Sequence, residues 1–254
     1  MADLARVALI SSPRSGNTWA RYLLRDACGL TELAYNNPWD VDWDALPDRC
    51  VLQMHCHRTP ELVDRLGRLG FARVHMARHP LDVLLSILQC CGAVPETAEW
   101  VAREGGDESA IAGRSPQDPA FLAYATGPRA RALLSITPEW WDDGDPAVRL
   151  RYEDLVADTP GRLAATIAGL GLTPTAPLEA VIEANRIDRL RFWSQAFFWR
   201  GSPGLWRRLL TARQVEAIRR GLPPALWAGA DADPDTALTP EDAAANWEAV
   251  LAPA

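Results

Sequence analysis

Three short stretches carry residue types that can hold an anion and move a proton. The first is "SSPRSGNTW" (Ser11 to Trp19), directly after the apolar run "VALI". It sets one arginine among small hydroxyl residues and a glycine. Backbone N–H groups in such a loop, and at the start of the helix that resumes at Thr18, can take an anion. Arg14 can add paired hydrogen bonds to phosphate oxygens, and Gly16 permits close backbone approach. A plain turn with a surface arginine would need the same glycine, so the short pattern alone leaves both readings open.

The second stretch is "ARHPLDVLLSIL" (Ala77 to Leu88), where Arg78 ends a strand, Pro80 opens a helix and Ser86 follows two turns on. Asp82 falls in the first turn, where a carboxylate complements the helix dipole. The third is "VLQMHCHR" (Val51 to Arg58), with His55 and His57. Imidazole, with a reference pKa of about 6.5, suits the acceptance of an alcohol proton near neutrality. A histidine merely packed at a strand end looks the same in sequence. His55, Cys56 and His57 make a poor metal set, because consecutive strand residues diverge and no distant ligands complete them; no metal is expected.

Elements must place these residues. Arg6 to Ile10, Cys50 to His55 and Ala72 to Arg78 read as strands of a buried parallel sheet, and "AVRLRYEDL" (Ala147 to Leu155) supplies another strand running into an acidic helix start. Helical periodicity follows over Thr18 to Ala27, Thr59 to Leu69 and Leu81 to Gln89, with Thr59 as N-cap and Pro60 at the first helical position. Strand–loop–helix alternation predicts an α/β chain, doubly wound around a central parallel sheet flanked by helices. Thr31 to Arg49 reads mostly as surface loop. Phe121 to Ile136 reads as one helix despite Gly127-Pro128, and Arg189 to Thr211 as an aromatic, arginine-rich loop. The expected division is one domain over residues 1–228, with 92–119 as a lid or acceptor-site insertion, and a C-terminal extension over 229–254 carrying a short helix.

Composition narrows the function classes. The 254 residues carry a net charge of -7, which disfavours a nucleic-acid binder. All 26 basic residues are arginine, so any cation gripping a phosphate here must be a guanidinium. The 5 cysteines form no CxxC pair and fit reduced thiols, and no stretch is long and apolar enough for a membrane span or a signal peptide, so a cytoplasmic location is expected.

Four ordered motifs carry a family resemblance. "PRSGNTW", "RHPLDVLLS", "RYEDL" and "WRGSPGLWRRLLT" resemble, in that order, the strand–Pro-Lys/Arg-Ser-Gly loop, the Arg-x-Pro-x-Asp-x-x-x-Ser motif, the Tyr-Glu-Asp segment and the C-terminal Arg-Lys-Gly-x-x-Gly-x-Trp motif of sulfotransferases of cytosolic type that use 3′-phosphoadenylyl sulfate. The matching segments run from about Arg6 to Thr211. The resemblance implies a P-loop-like α/β fold and direct transfer of a sulfuryl group to a hydroxyl of a small-molecule acceptor, releasing adenosine 3′,5′-bisphosphate. It implies no metal, nucleic acid or membrane partner.

The resemblance also assigns residues. The 5′-phosphate and sulfate fall to Arg14, Ser15, Gly16, Asn17 and Thr18. Trp19 and Tyr152 fall beside the adenine. The 3′-phosphate falls to Arg78 and Ser86, with Arg200 and Gly201 closing over it. His55 matches the family's base, with His57 as the alternative, and Arg14 is expected to stabilise the leaving group. There are departures. Asn17 replaces a usual threonine, Gln53 a frequent lysine and Trp199 a frequent arginine, for which Arg207 or Arg208 are the nearest substitutes. A nucleotide-triphosphate kinase would need a Walker lysine and metal-holding carboxylates, and Asp40, Asp42 and Asp44 lie in a loop instead. A nucleotide-binding protein that keeps the fold without catalysis is the other alternative.

Overall fold

Ala5–Ile10 forms β1 and is buried at every position except Arg6, as a strand covered on both faces must be. Alternation along it sends Ala8 and Ile10 to one face and Val7 and Leu9 to the other. β1 lies between β3 (Arg49–Met54) and β4 (Phe71–Ala77). The edges are β2 (Thr31–Ala34) and β5 (Val148–Arg151), giving the order β2-β3-β1-β4-β5 with every pairing parallel. The computed structural model describes residues 4–93, 108–141, 147–193, 198–227, 230 and 233–252.

The helices are α1 (Asn17–Cys28), α2 (Pro60–Arg68), α3 (Pro80–Ala93), α4 (Pro119–Ala125), α5 (Pro128–Trp141), α6 (Tyr152–Ala157), α7 (Thr159–Gly169), α8 (Leu178–Ala184), α9 (Ile187–Trp193), α10 (Trp206–Leu209), α11 (Ala212–Gly221) and α12 (Pro240–Leu251). The Thr59 hydroxyl caps α2 by accepting from Leu62 N–H, as its sequence predicts.

Contacts divide the chain into two compact units, residues 1–78 with 135–193 and residues 79–134 with 194–254. The first holds the sheet. On one sheet face Ala8, Ile10, Leu52 and Met54 pack with Leu62 and Leu66 of α2 and with Ile136 and Trp140 of α5. On the first unit's other helices, α1 packs against β3, and α7 against β5 and α8. The second unit is helical, and its core joins Leu81, Leu84 and Leu88 of α3 to Phe121, Leu133, Trp206 and Ile218. Trp247 and Val250 of α12 belong to that core.

Two expectations change here. Thr31–Ala34 is not loop but an edge strand, mostly exposed and therefore lacking an apolar signature; pairing with β3 creates it. Residues 119–141 are two helices, because the chain turns at Thr126 and Gly127 before Pro128 restarts it. All five cysteines are free and buried. Among the described residues no helix is long and apolar enough to cross a membrane. The expected lid over 92–119 lies in part outside the described residues.

Candidate active site

β1, β3 and β4 are adjacent and parallel, so their carboxyl ends open on one edge of the sheet. Ser11–Gly16 leaves β1 there, His55 follows β3, Arg78 follows β4 and Tyr152 follows β5. An open α/β sheet binds ligands outside such strand ends, where successive connections diverge from one strand. The first-unit residues of the first three motifs, together with His55, thus converge by topology.

The loop after β1 is tightly specified. Arg14 has φ 63, the one positive φ outside glycine among the described residues. Its carbonyl accepts from Arg78 Nη1 at 3.1 Å. Gly16, at φ 96, is the N-cap of α1, and a Cβ there would lie 2.4 Å from Tyr152 Cδ2 and 3.0 Å from Met76 Cε. Glycine is therefore required by conformation and by space. The Arg78 guanidinium lies 4.5 Å from the centre of the Tyr152 ring, a cation–π stack that fixes its plane.

Hydrogen bonding within the loop leaves donors over. Ser15 is fully buried, and its Oγ has no hydrogen-bond partner among the described residues; neither has Arg78 Nε. Buried donors are normally paired, and an unpaired one costs about 1–3 kcal/mol. Two such donors beside a helix N-terminus suit an incoming anion. Asn17 Nδ2 donates to Ser11 Oγ at 2.6 Å, so this amide braces the loop; its Oδ1 is buried without a hydrogen-bond partner among the described residues. Thr18 is half-buried in the first turn of α1. Ser12 and Thr137 hydroxyls meet at 2.8 Å, tying the loop to α5. The sequence reading did not single out Ser12 or Thr137.

Trp19 sits in the core, with Nε1 donating to Asn185 O at 2.9 Å and its ring edge-on to Tyr152 at 6.2 Å. Its neighbour in space, Tyr152, is buried at the start of α6.

His55 is half-buried. Its Nδ1 lies 2.9 Å from Ser11 O and its Nε2 lies 3.2 Å from Gln53 Nε2. Burial, with smaller contributions from Arg14 and Arg21, pushes its pKa down to about 4, against the raising effect of the Ser11 bond. His57 is exposed, with Nδ1 3.0 Å from both oxygens of Glu139. His75 is buried against Trp140, and His79 stacks on Trp206 at 4.9 Å. Among the described residues no cluster of three His, Cys, Asp or Glu could hold a metal ion.

In the second unit, Ser86 is buried on α3, one turn beyond Asp82. Asp82 does more than face a helix dipole, since its carboxylate accepts from Gly204 N–H at 2.6 Å and Trp206 N–H at 3.1 Å. The glycine-rich C-terminal loop is thereby fastened to the start of α3. Gly201 takes φ 68. Arg200 donates through Nε to Val250 O at 2.8 Å and through Nη2 to Ala252 O at 2.9 Å, holding the last carbonyls of α12. Trp199 meets Trp247 edge-on at 5.5 Å. Arg207 covers the Trp206 ring at 4.4 Å, and Arg208 reaches Asn246 Oδ1 at 3.4 Å.

No family model matches the chain, and no curated protein matches it in sequence. Solved structures do match its fold. Mouse sulfotransferase SULT7A1 complexed with PAP is 14% identical with TM-score 0.64, over 87% of this chain and 84% of its own. Retinol dehydratase in complex with androsterone and inactive cofactor PAP is 15% identical with TM-score 0.57, over 85% of this chain and 79% of its own. The same enzyme with retinol and PAP gives 16% and 0.55 over the same shares. At such identities the likeness establishes the fold: the chain has the P-loop-like α/β fold of PAP-bound sulfotransferases.

Proposed function

We propose that this protein transfers the sulfuryl group of 3′-phosphoadenylyl sulfate to a hydroxyl of a small-molecule acceptor by direct in-line displacement. The observation that carries the reading is the loop after β1. A buried Ser15 hydroxyl and Arg78 Nε have no hydrogen-bond partner among the described residues, close to the N-terminus of α1 and to the loop that carries Arg14. The fold shared with PAP-bound sulfotransferases supports the choice of donor, and the androsterone and retinol held by one of them support a small-molecule acceptor.

In the proposed reaction the acceptor oxygen forms a bond to sulfur as the bond from sulfur to the 5′-phosphate oxygen breaks. The electron pair stays with that phosphate oxygen and adenosine 3′,5′-bisphosphate leaves. His55 takes the acceptor's proton at Nε2 and returns it to water. Arg14 and the loop donors stabilise charge on the sulfuryl oxygens and the leaving phosphate without reorganisation. Arg78 is proposed to grip the 3′-phosphate, spending binding energy away from the reacting centre. Ser86, Arg200 and Gly201 enter this reading through the sequence resemblance, as does adenine packing on Trp19 and Tyr152. Five free, buried cysteines support a reducing, cytoplasmic setting.

The direct test is calorimetric titration with adenosine 3′,5′-bisphosphate, followed by incubation with sulfur-labelled donor and a panel of alcohols and phenols. Saturable binding and label transfer are expected. Binding without transfer would make this a nucleotide-binding protein, and absence of binding would overturn the reading altogether.

A further inference from the structure

The C-terminal segment holds each arginine of the fourth motif. Arg200 donates to Val250 O through Nε at 2.8 Å and Nη2 at 2.6 Å, and to Ala252 O through Nη2 at 2.9 Å. Arg207 Nη1 donates to Asp233 O. Arg208 Nη2 donates to Asn246 Oδ1 at 3.4 Å, and Asn246 Nδ2 answers with a bond to Arg208 O at 3.0 Å. Trp199 meets Trp247, which is buried with Ala243 and Val250. All these partners lie within residues 233–252, past Thr211, where the family resemblance ends. The Arg200 contacts have a particular chemistry. The last carbonyls of a helix lack intrahelical donors and together carry about half a negative charge. They present a guanidinium edge with paired oxygens, as an oxyanion does, but with less charge than a phosphate.

Resting on the transferase reading above, we infer that residues 233–252 are a built-in competitor of the nucleotide: α12 docks its carboxyl-terminal carbonyls on Arg200, and a 3′-phosphate gains that guanidinium only when α12 lets go. Nε and Nη2, the edge that suits a bidentate anion, are both taken. Helix and phosphate then exclude each other there, and by linkage each weakens the other's binding by the same factor. α12 leaves as a unit. It has 12 residues, and a helix of that length is marginal in water once its packing is lost. The loop it releases keeps a second anchor, since Asp82 holds the Gly204 and Trp206 N–H groups from α3. The fourth motif therefore stays in place while Arg200 comes free. The device sets a threshold. Donor and product both carry the 3′-phosphate and both must displace α12, whereas a nucleotide without it gains nothing from Arg200 and leaves α12 docked.

Thr239 allows a test from the far end of α12. Its hydroxyl caps the helix by accepting from Asp242 N–H at 3.1 Å, roughly 16 Å along the axis from Val250. Thr239→Ala removes the cap and loosens α12 without touching Arg200 or its loop. Affinity for adenosine 3′,5′-bisphosphate, by calorimetry, should then rise about threefold to tenfold. Asn246→Ala, which breaks the pair with Arg208, should move it in the same direction. In the wild type, saturating bisphosphate should speed hydrogen exchange of the α12 amides by at least about tenfold, while adenosine 5′-monophosphate should leave it unchanged. Unchanged or slowed exchange with bisphosphate bound overturns the competition. So does an affinity that stays level or falls in variants whose α12 exchange is faster. Bisphosphate bound by the loosened variants and not by the wild type supports it. Absence of binding by all three proteins overturns the transferase reading, and the competition with it.

Discussion

The Asp82 carboxylate accepts the backbone N–H of Gly204 at 2.6 Å, and its other oxygen accepts that of Trp206. One acidic residue of the second motif thus anchors the loop of the fourth. Charge-assisted bonds to backbone donors are worth roughly 1.5–3 kcal/mol. Asp82→Ala is expected to weaken adenosine 3′,5′-bisphosphate binding about tenfold and to open the loop to proteolysis near Gly204. Asp82→Asn, which keeps one acceptor oxygen, should fall between. Calorimetry and timed digestion measure both.

Gly16 is the residue that the first loop can least replace. An alanine would meet the Tyr152 ring at 2.4 Å while holding a φ of 96. Gly16→Ala should cost at least about 2 kcal/mol in denaturant unfolding, combining overpacking and backbone strain. A change below about 0.5 kcal/mol would mean that Tyr152 and Arg78 shift freely, against the packed stack described above.

The two histidines should separate in kinetics. His55→Ala is expected to lower kcat by about 10²–10⁴, the usual contribution of a positioned base. His57→Ala, which breaks an exposed pair with Glu139, should leave kcat within about threefold. The reverse order would move the base to His57.

Because the His55 pKa lies near 4, the acid limb of kcat/KM should fall near pH 4 to 5 and not near 6.5. Stability should follow the same group. The unfolded chain binds a proton below about pH 6.5 that the folded site resists, so folding stability is full above that pH and declines as pH falls towards 4. Relative to His55→Gln, the wild type should lose up to about 3 kcal/mol across this window. Chemical unfolding at a series of pH values measures it.

Arg200 is engaged with the carbonyls of Val250 and Ala252, so binding a phosphate would require it to leave α12. If it does, Arg200→Ala weakens adenosine 3′,5′-bisphosphate binding about tenfold, and nucleotide lowers protection of the α12 amides from hydrogen exchange. That is the expected outcome. Unchanged affinity with a lower Tm would assign Arg200 to α12 alone.

Much of this protein is written locally. The run from Val7 to Ile10, the small-residue loop and the helix after it could be read from composition and period, because a buried strand and a tight turn impose their residue types directly. The loop's Arg14 and Gly16 were legible for that reason, as was the capping role of Thr59. What resisted reading depends on partners distant in the chain. Thr31–Ala34 is a strand only because β3 offers it an edge. Asp82 looks like an ordinary first-turn acid until Gly204 arrives more than a hundred residues later. Arg21 lies outside every motif, and Gln53 stands out in sequence only as a departure; α1 and β3 must pack before the two meet. Sequence by itself determined the central strands and the helices that follow them, since periodicity and turn chemistry are short-range. Only the tertiary structure decided which groups flank His55 and what holds the C-terminal loop, since those partners are distant in the chain and only the fold brings them together.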